Sequence, residues 1–209
     1  MARRMTRAPV VRSAAEMDDF RARLVWASPE IRAIAGAAKR VAVLGIRSER
    51  FADRPAHYVP AYLAKAGVTV LPVPVQETGV TEILGQRCFA RVADVPGPID
   101  VVDVFRRGPD VALHLDDLLA ARPGCVWMQS GIRNENVAVA LAKAGIRVVQ
   151  DHCLMVEHRA ARAMGLVEAW HHDPFFAYVD RYMAQEHRPE WRAWAKWHGA
   201  MWDRERPKY

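Results

Sequence analysis

The chain has 209 residues, 51% of them hydrophobic, and a formal net charge of +6. That length carries one domain with appendages, and the positive balance points to a polyanionic partner: a phosphorylated small molecule, an acidic surface or nucleic acid. No Lys/Arg block with interleaved aromatics singles out nucleic acid, and no apolar run reaches membrane-spanning length. Three cysteines, Cys88, Cys125 and Cys153, are too few and too scattered for a disulfide framework or zinc site, which suits a reducing cytoplasm.

Residues 1–12 hold four arginines and no acid and read as a frayed arm without an apolar signal core. Ser13 with Glu16 forms a capping box for a short helix through Met17, Phe20 and Leu24. Ser28 caps a second helix, with Pro29 in its first turn, that runs to about Lys39. The next stretch organises the chain. Val41, Ala42, Val43 and Leu44 form a buried strand that breaks at Gly45 into a polar loop over residues 46–54. Pro55 stands where a first-turn proline belongs, Val59, Tyr62, Leu63 and Ala66 follow at helical spacing, and Gly67 stops the helix. A strand that delivers its chain to a helix N-terminus makes an anion site.

Residues 68–73 form the second strand and a loop follows to Gly79. The stretch 81–85 comes next, and Cys88, Phe89 and Ala90 make a short strand at best. Residues 100–105 are a strand ending on Arg106 and Arg107. Pro109 opens a helix whose apolar face uses Val111, Leu115, Leu118 and Leu119. Residues 125–128 are a strand, 134–143 a helix stopped by Gly145, and 147–149 the last strand. Strands alternating with helices predict a Rossmann-like, doubly wound, mainly parallel α/β sheet, whose ligands bind beyond the strand carboxyl ends. The expected divisions are an N-terminal arm and short helix (1–27), the nucleotide-binding-type domain (28–158) and a helical extension (159–209). The extension holds five of the seven tryptophans. Trp191, Trp194 and Trp197, continued by Met201 and Trp202, form an aromatic stripe that is buried against the domain, a protein partner or another subunit.

The loop after Gly45 lacks the second and third glycines of the dinucleotide fingerprint, and the second strand ends without the acid that would meet a ribose. The phosphate-binding loop with Gly-Lys-Ser/Thr is absent too. Arg47, Ser48 and Arg54 are instead side chains that can hold phosphate by forked or hydroxyl hydrogen bonds, or are solvated loop residues. Other chemistry is weak. His152, Glu157 and His158 match neither zinc-protease order. Ser130 lacks the preceding glycine of a nucleophile elbow. Asp100 and Asp103 point to opposite faces of one strand and make a poor acid–base pair. Cys125 belongs inside the sheet, whereas Cys153 lies just past a strand end. No metal site and no catalytic site emerge.

Several blocks in order carry a resemblance. They are Val41–Gly45 with Ser48, Arg54, Pro55 and Tyr58; Glu82, Ile83, Leu84 and Gly85; residues 99–107; residues 126–129 with Gly131, Asn134 and Glu135; and residues 148–151 with Cys153, Glu157 and His158. Over Ile31 to His158 the chain resembles the stand-alone CoA-binding protein family, whose domain is similar to the CoA-binding domain of the succinyl-CoA synthetase alpha subunit. It departs at Pro74 and Val75, where the family has Asn-Pro, and at His152, where a basic residue precedes the cysteine. The resemblance implies coenzyme A or an acyl-CoA as ligand. With the strand ends, it implies a site from Gly45, Ile46, Arg47, Ser48, Arg54, Pro55, Tyr58, Val73, Pro74, Phe105, Arg106, Gln129, Gly131, Asp151 and Cys153. CoA suits the missing acid, because its ribose already carries a 3′-phosphate, and the apolar rim at Val73–Val75 suits adenine. The readings held against a non-catalytic CoA-binding module are an NAD(P)-dependent oxidoreductase or sensor with a degenerate glycine loop, and a structural adaptor using the tryptophan helix.

Overall fold

The computed structural model describes residues 20–77 and 79–171, with side chains to residue 165. The capping box at Ser13 and Glu16 and the stripe from Trp191 to Trp202 lie outside the described residues. The chain divides into two compact units, Met1–Ala161 and Arg162–Tyr209. Helices α1 (Ser28–Ala37), α2 (Pro55–Lys65), α3 (Leu115–Ala121), α4 (Glu135–Lys143) and α5 (Leu154–His171) alternate with strands β1 (Arg40–Leu44), β2 (Thr69–Val73), β5 (Val101–Val104), β6 (Cys125–Met128) and β7 (Arg147–Val149). A separate two-stranded hairpin pairs β3 (Glu82–Ile83) with β4 (Gln86–Arg87).

The five long strands form one parallel sheet in the order β2-β1-β5-β6-β7. This is a Rossmann-like, doubly wound arrangement, and its strand order reverses between β1 and β5. Alternate residues of each strand feed two cores. Ala42, Leu44, Val102, Val104, Val126 and Met128 pack with Leu118 of α3 and Val137 and Leu141 of α4. Val41, Val43, Val101, Cys125, Trp127 and Val149 pack with Ile31 and Ile34 of α1, Leu63 of α2 and Leu154 of α5. Both faces are apolar, which is why the strands read as runs of Val and Leu rather than alternations. Pro72, which cannot donate to the ladder, sits in the edge strand β2.

Four local expectations need correction. Where the helix toward Leu24 was expected, the described part is a 3₁₀ turn, Arg21–Arg23, and Leu24 bridges Val148 in parallel. Ser28 is the first residue of α1, and Ala27 is its N-cap. The helix opened by Pro109 begins as a 3₁₀ stretch, Gly108–His114, before α3. Around residues 81–90 the pairing is the β3–β4 hairpin, with Leu84 (φ 54°) and Gly85 (φ 69°) in its turn. Both central residues have positive φ, as a two-residue hairpin loop requires. Phe89 adds only a single N–H bond to the Pro72 carbonyl (2.8 Å).

Gly45 has φ 89°, and a Cβ there would lie 2.6 Å from the Phe105 carbonyl oxygen and 3.1 Å from Arg106 Cδ. The backbones leaving β1 and β5 therefore approach as closely as they do because residue 45 has no side chain. Gly45→Ala should lower stability by about 2 kcal/mol or more, from backbone strain plus overpacking; an unchanged denaturation midpoint would contradict this account of the switch point.

Candidate functional site

A cleft of about 870 Å³ opens at the carboxyl end of the sheet, within the size range of small-molecule sites. It runs from Gly45 after β1, past Phe105 and Arg106 after β5 and Gln129 to Ile132 after β6, to Cys153 after β7. Four strand ends in a row span about 14 Å at the usual strand spacing of roughly 4.8 Å. Arg54, Pro55, Ala56, Tyr58 and Val59 of the α2 entry form one wall, with Arg47, Phe51 and Gln76 beside them.

Of the residues expected at the site, Gly45, Arg47, Arg54, Pro55, Tyr58, Phe105, Arg106, Gln129, Gly131 and Cys153 are brought together in this lining. Ile46 and Val73 are fully buried beneath it. Pro74 lines a different depression, with Glu77 and Cys88. Ser48, which is buried, and Asp151, which is exposed, are not part of this lining. Asp151, at φ 62°, uses Oδ1 to accept the Gly131 N–H (2.6 Å), so it shapes the turn after β6.

Ser48 is only 6% exposed. Its N–H and its hydroxyl both donate to the Glu77 carboxylate, each at 2.7 Å. Burial opposes ionisation of Glu77, but the two Ser48 bonds and the nearby Arg47 and Arg50 outweigh it, so its carboxyl lies below the usual range. Glu77 is the acid that sequence reasoning missed. It comes from the loop after β2, four residues beyond the strand end, and it is spent on Ser48.

The backbone of Arg47 is clamped at both polar groups. Its N–H donates to the Ala56 carbonyl (3.1 Å), and its carbonyl faces Nδ1 of buried His57 (2.9 Å), which must therefore carry the proton. Pro60 lies inside α2 and has no N–H to give Ala56. The Ala56 carbonyl is thereby free for the loop. The Arg47 guanidinium donates to Gln76 Oε1 (2.8 Å) and stacks 4.1 Å above Phe51. Arg54 is the N-cap residue of α2, its carbonyl accepts the N–H of His57 and of Tyr58, and its side chain is 68% exposed.

Arg106 lies deeper, with its side chain 11% exposed and 3.7 Å from Asp110. Its Nε is fully buried and has no partner, as is Nε2 of His114, among the described residues. Burial, and then Arg106 itself, push His114 toward its neutral form. A buried donor left open at a cleft wall marks a place where a ligand oxygen or a water belongs.

The floor holds a further polar pair. Asp103 of β5 is 0% exposed, between Val43 and Trp127 in register. Both its oxygens take the Gln129 amide nitrogen, at 2.8 and 3.0 Å. Burial pushes the Asp103 carboxyl up to about 8, against the smaller opposing effect of Gln129. At the far end, the Trp127 indole donates to the His152 carbonyl (2.7 Å), fixing the turn that carries Cys153. His152 in turn lies 3.5 Å from Glu157, which pairs with Arg32 at 3.3 Å. Cys125, in the sheet, is pushed up to about 12 by burial and is chemically inert. Among the described residues no cluster of His, Cys, Asp and Glu could hold a metal, and no helix is long and apolar enough to cross a membrane.

The folded protein holds the Asp103 proton more tightly than the unfolded chain does. Its stabilising effect is full below the unfolded value of 3.8 and is lost as pH rises toward about 8. Ionisation of this one group therefore costs several kcal/mol by about pH 9. Wild type should lose stability between about pH 5 and pH 9, and Asp103→Asn should lose distinctly less. Parallel denaturation profiles for the two proteins would show that Asp103 is not the buried acid responsible.

Comparison with known proteins agrees with this geometry. Residues 39–159 match the family model described as CoA binding domain. The uncharacterized protein YneT of Bacillus subtilis is 32% identical over 133 residues, covering 64% of this chain and 95% of its own. The structure of cell-free ID.343 from Thermus thermophilus is 46% identical with a TM-score of 0.60, and the match covers 65% of this chain and 99% of that one. A hypothetical protein from Pyrococcus horikoshii OT3 is 28% identical with a TM-score of 0.58, covering 65% and 92% respectively. With the family model spanning more than half of its residues, the chain belongs to the CoA-binding domain family.

Proposed function

We propose that the cleft binds coenzyme A or an acyl-CoA in a reducing cytoplasm, as a binding module without a catalytic centre of its own. The observation that carries this reading is the cleft's polarity along its length. Guanidinium groups of Arg47, Arg54 and Arg106 gather at the β1–β5 end, and a single cysteine stands at the β7 end. The residues fit the group. The arginines, with the unpartnered Arg106 Nε foremost, suit the phosphates. Tyr58, 42% exposed on the cleft wall, offers an aromatic face to adenine. The pantetheine arm then lies over the ends of β5 and β6 toward Cys153.

A melting-temperature screen tests this reading, since a ligand that binds only the native state raises apparent stability. CoA and acetyl-CoA should raise the midpoint, while NAD and NADP leave it unchanged. A larger shift with NAD than with CoA would reverse the assignment in favour of a dinucleotide.

The thiol end of this pose makes a second expectation. Cys153, as thiolate, attacks one sulfur of CoA disulfide, forms the Cys153–S–S–CoA bond, and releases the other half as CoA thiolate. Mass spectrometry after exposure to CoA disulfide without reductant should find the adduct on Cys153 and not on Cys88 or Cys125. Absence of any adduct in protein that demonstrably binds CoA would place the ligand sulfur elsewhere.

A further inference from the structure

Asp103 is the only carboxyl among the described residues that is buried from water. Its partner is a neutral amide, and one such partner does not offset the desolvation of a carboxylate. An apolar residue between Val43 and Trp127 would pack there without that cost. The benefit of the pair lies on its other side, in the cleft. Gln129 turns its nitrogen to both Asp103 oxygens. Its carbonyl oxygen Oε1 has no hydrogen-bond partner among the described residues, and Gln129 lines the cleft.

We propose that Asp103 is a positioning residue: it holds the Gln129 amide nitrogen inside the sheet and so aims the Gln129 carbonyl oxygen into the cleft, where it accepts an amide N–H of the pantetheine arm. This rests on the CoA reading. Gln129 follows β6 and lies between the arginine end and Cys153, where the arm crosses. The arm carries two secondary amides, and each N–H needs an acceptor once water is removed. A carboxylate has no proton to give, so only the nitrogen end of Gln129 can face it. A protonated Asp103, or an asparagine, carries both a donor and an acceptor, so it no longer enforces that orientation and lets the Gln129 amide turn either way.

The hydrogen-bond polarity of the floor thus follows the charge on Asp103. Its neighbours in register on β1 and β6, Val43 and Trp127, are uncharged. Titratable groups on the helices of that face are engaged elsewhere: His57 with the Arg47 carbonyl, His158 with Tyr62, and Glu157 with Arg32 and His152.

The test is calorimetric titration of CoA, and of 3′-phospho-ADP, which lacks the arm. The proteins are wild type, Asp103→Asn, Gln129→Ala and the double variant, at about pH 9 and about pH 6, either side of the Asp103 titration. At the higher pH, Asp103→Asn should bind CoA about 3- to 10-fold more weakly, the worth of one hydrogen bond, with 3′-phospho-ADP unchanged within about twofold. The loss should vanish in the Gln129→Ala background, because Asp103 acts through Gln129. It should shrink at the lower pH, where wild type carries the proton and behaves as the Asn variant does. Equal losses for both ligands, a loss that persists without Gln129, or no loss at the higher pH overturns the inference. Should Asp103→Asn not fold, Gln129→Ala decides alone: undiminished CoA affinity refutes the role, and a loss confined to CoA supports it. Wild type that binds CoA no more tightly than 3′-phospho-ADP overturns the inference and leaves CoA binding intact; wild type that binds neither overturns both.

Discussion

No side chain fits at residue 45. The Phe105 carbonyl oxygen occupies the space a Cβ would need, and the Arg106 side chain lies across it. This close approach fixes how β1 and β5 part at the reversal of strand order, and the cleft is the gap left there. The loop beyond Gly45 is held by the helix it feeds. Pro60 frees the Ala56 carbonyl for the Arg47 N–H, and His57 takes the Arg47 carbonyl. A helix proline that costs α2 one internal hydrogen bond thereby gives the binding loop a fixed backbone.

Stability and site formation pull in opposite directions around this gap. Asp103 and the orphaned Nε of Arg106 both sit in or under the cleft wall, and the burial of each carries a desolvation cost. Away from the cleft, Asp117 takes the N–H groups of Val92 and Ala93 and Asp100 takes those of Lys39 and Arg40, while Nε2 of His114 stays unpartnered among the described residues.

Much of the frame was legible because its signals are local. Runs such as Val41–Leu44 and Cys125–Met128, each ended by glycine or a polar turn, mark doubly covered strands. Pro55 and Asn134 mark the two helix starts they occupy, with Asn134 accepting the Val137 N–H at 3.1 Å. What escaped was non-local or two-residue chemistry. The Leu84–Gly85 turn was hidden because leucine seldom takes positive φ. Asp103 reads in the sequence beside Asp100, while its partner Gln129 stands just past the end of the neighbouring strand, 26 residues away. Ser48 looked like a phosphate ligand because nothing in its own segment reveals that Glu77, 29 residues on, occupies both its donors.

That last contact limits the donors this loop can offer the proposed ligand. In a glycine-rich dinucleotide loop, backbone N–H groups cradle the phosphates. In this loop the Gly45 N–H goes to Val73, the Arg47 N–H to Ala56 and the Ser48 N–H to Glu77. At the start of α2, Pro55 has no N–H, and His57 and Tyr58 both turn theirs back to the Arg54 carbonyl. Ala56 is the only residue of that first turn whose N–H remains for a ligand. The helix contributes its field rather than a nest of donors. In the proposed CoA complex, directional recognition of phosphate falls to the guanidinium groups of Arg47, Arg54 and Arg106, whose forked donors can bind phosphate oxygens in pairs. A loop with one glycine is compatible with that proposed arrangement, in which side chains rather than backbone N–H groups meet the anion.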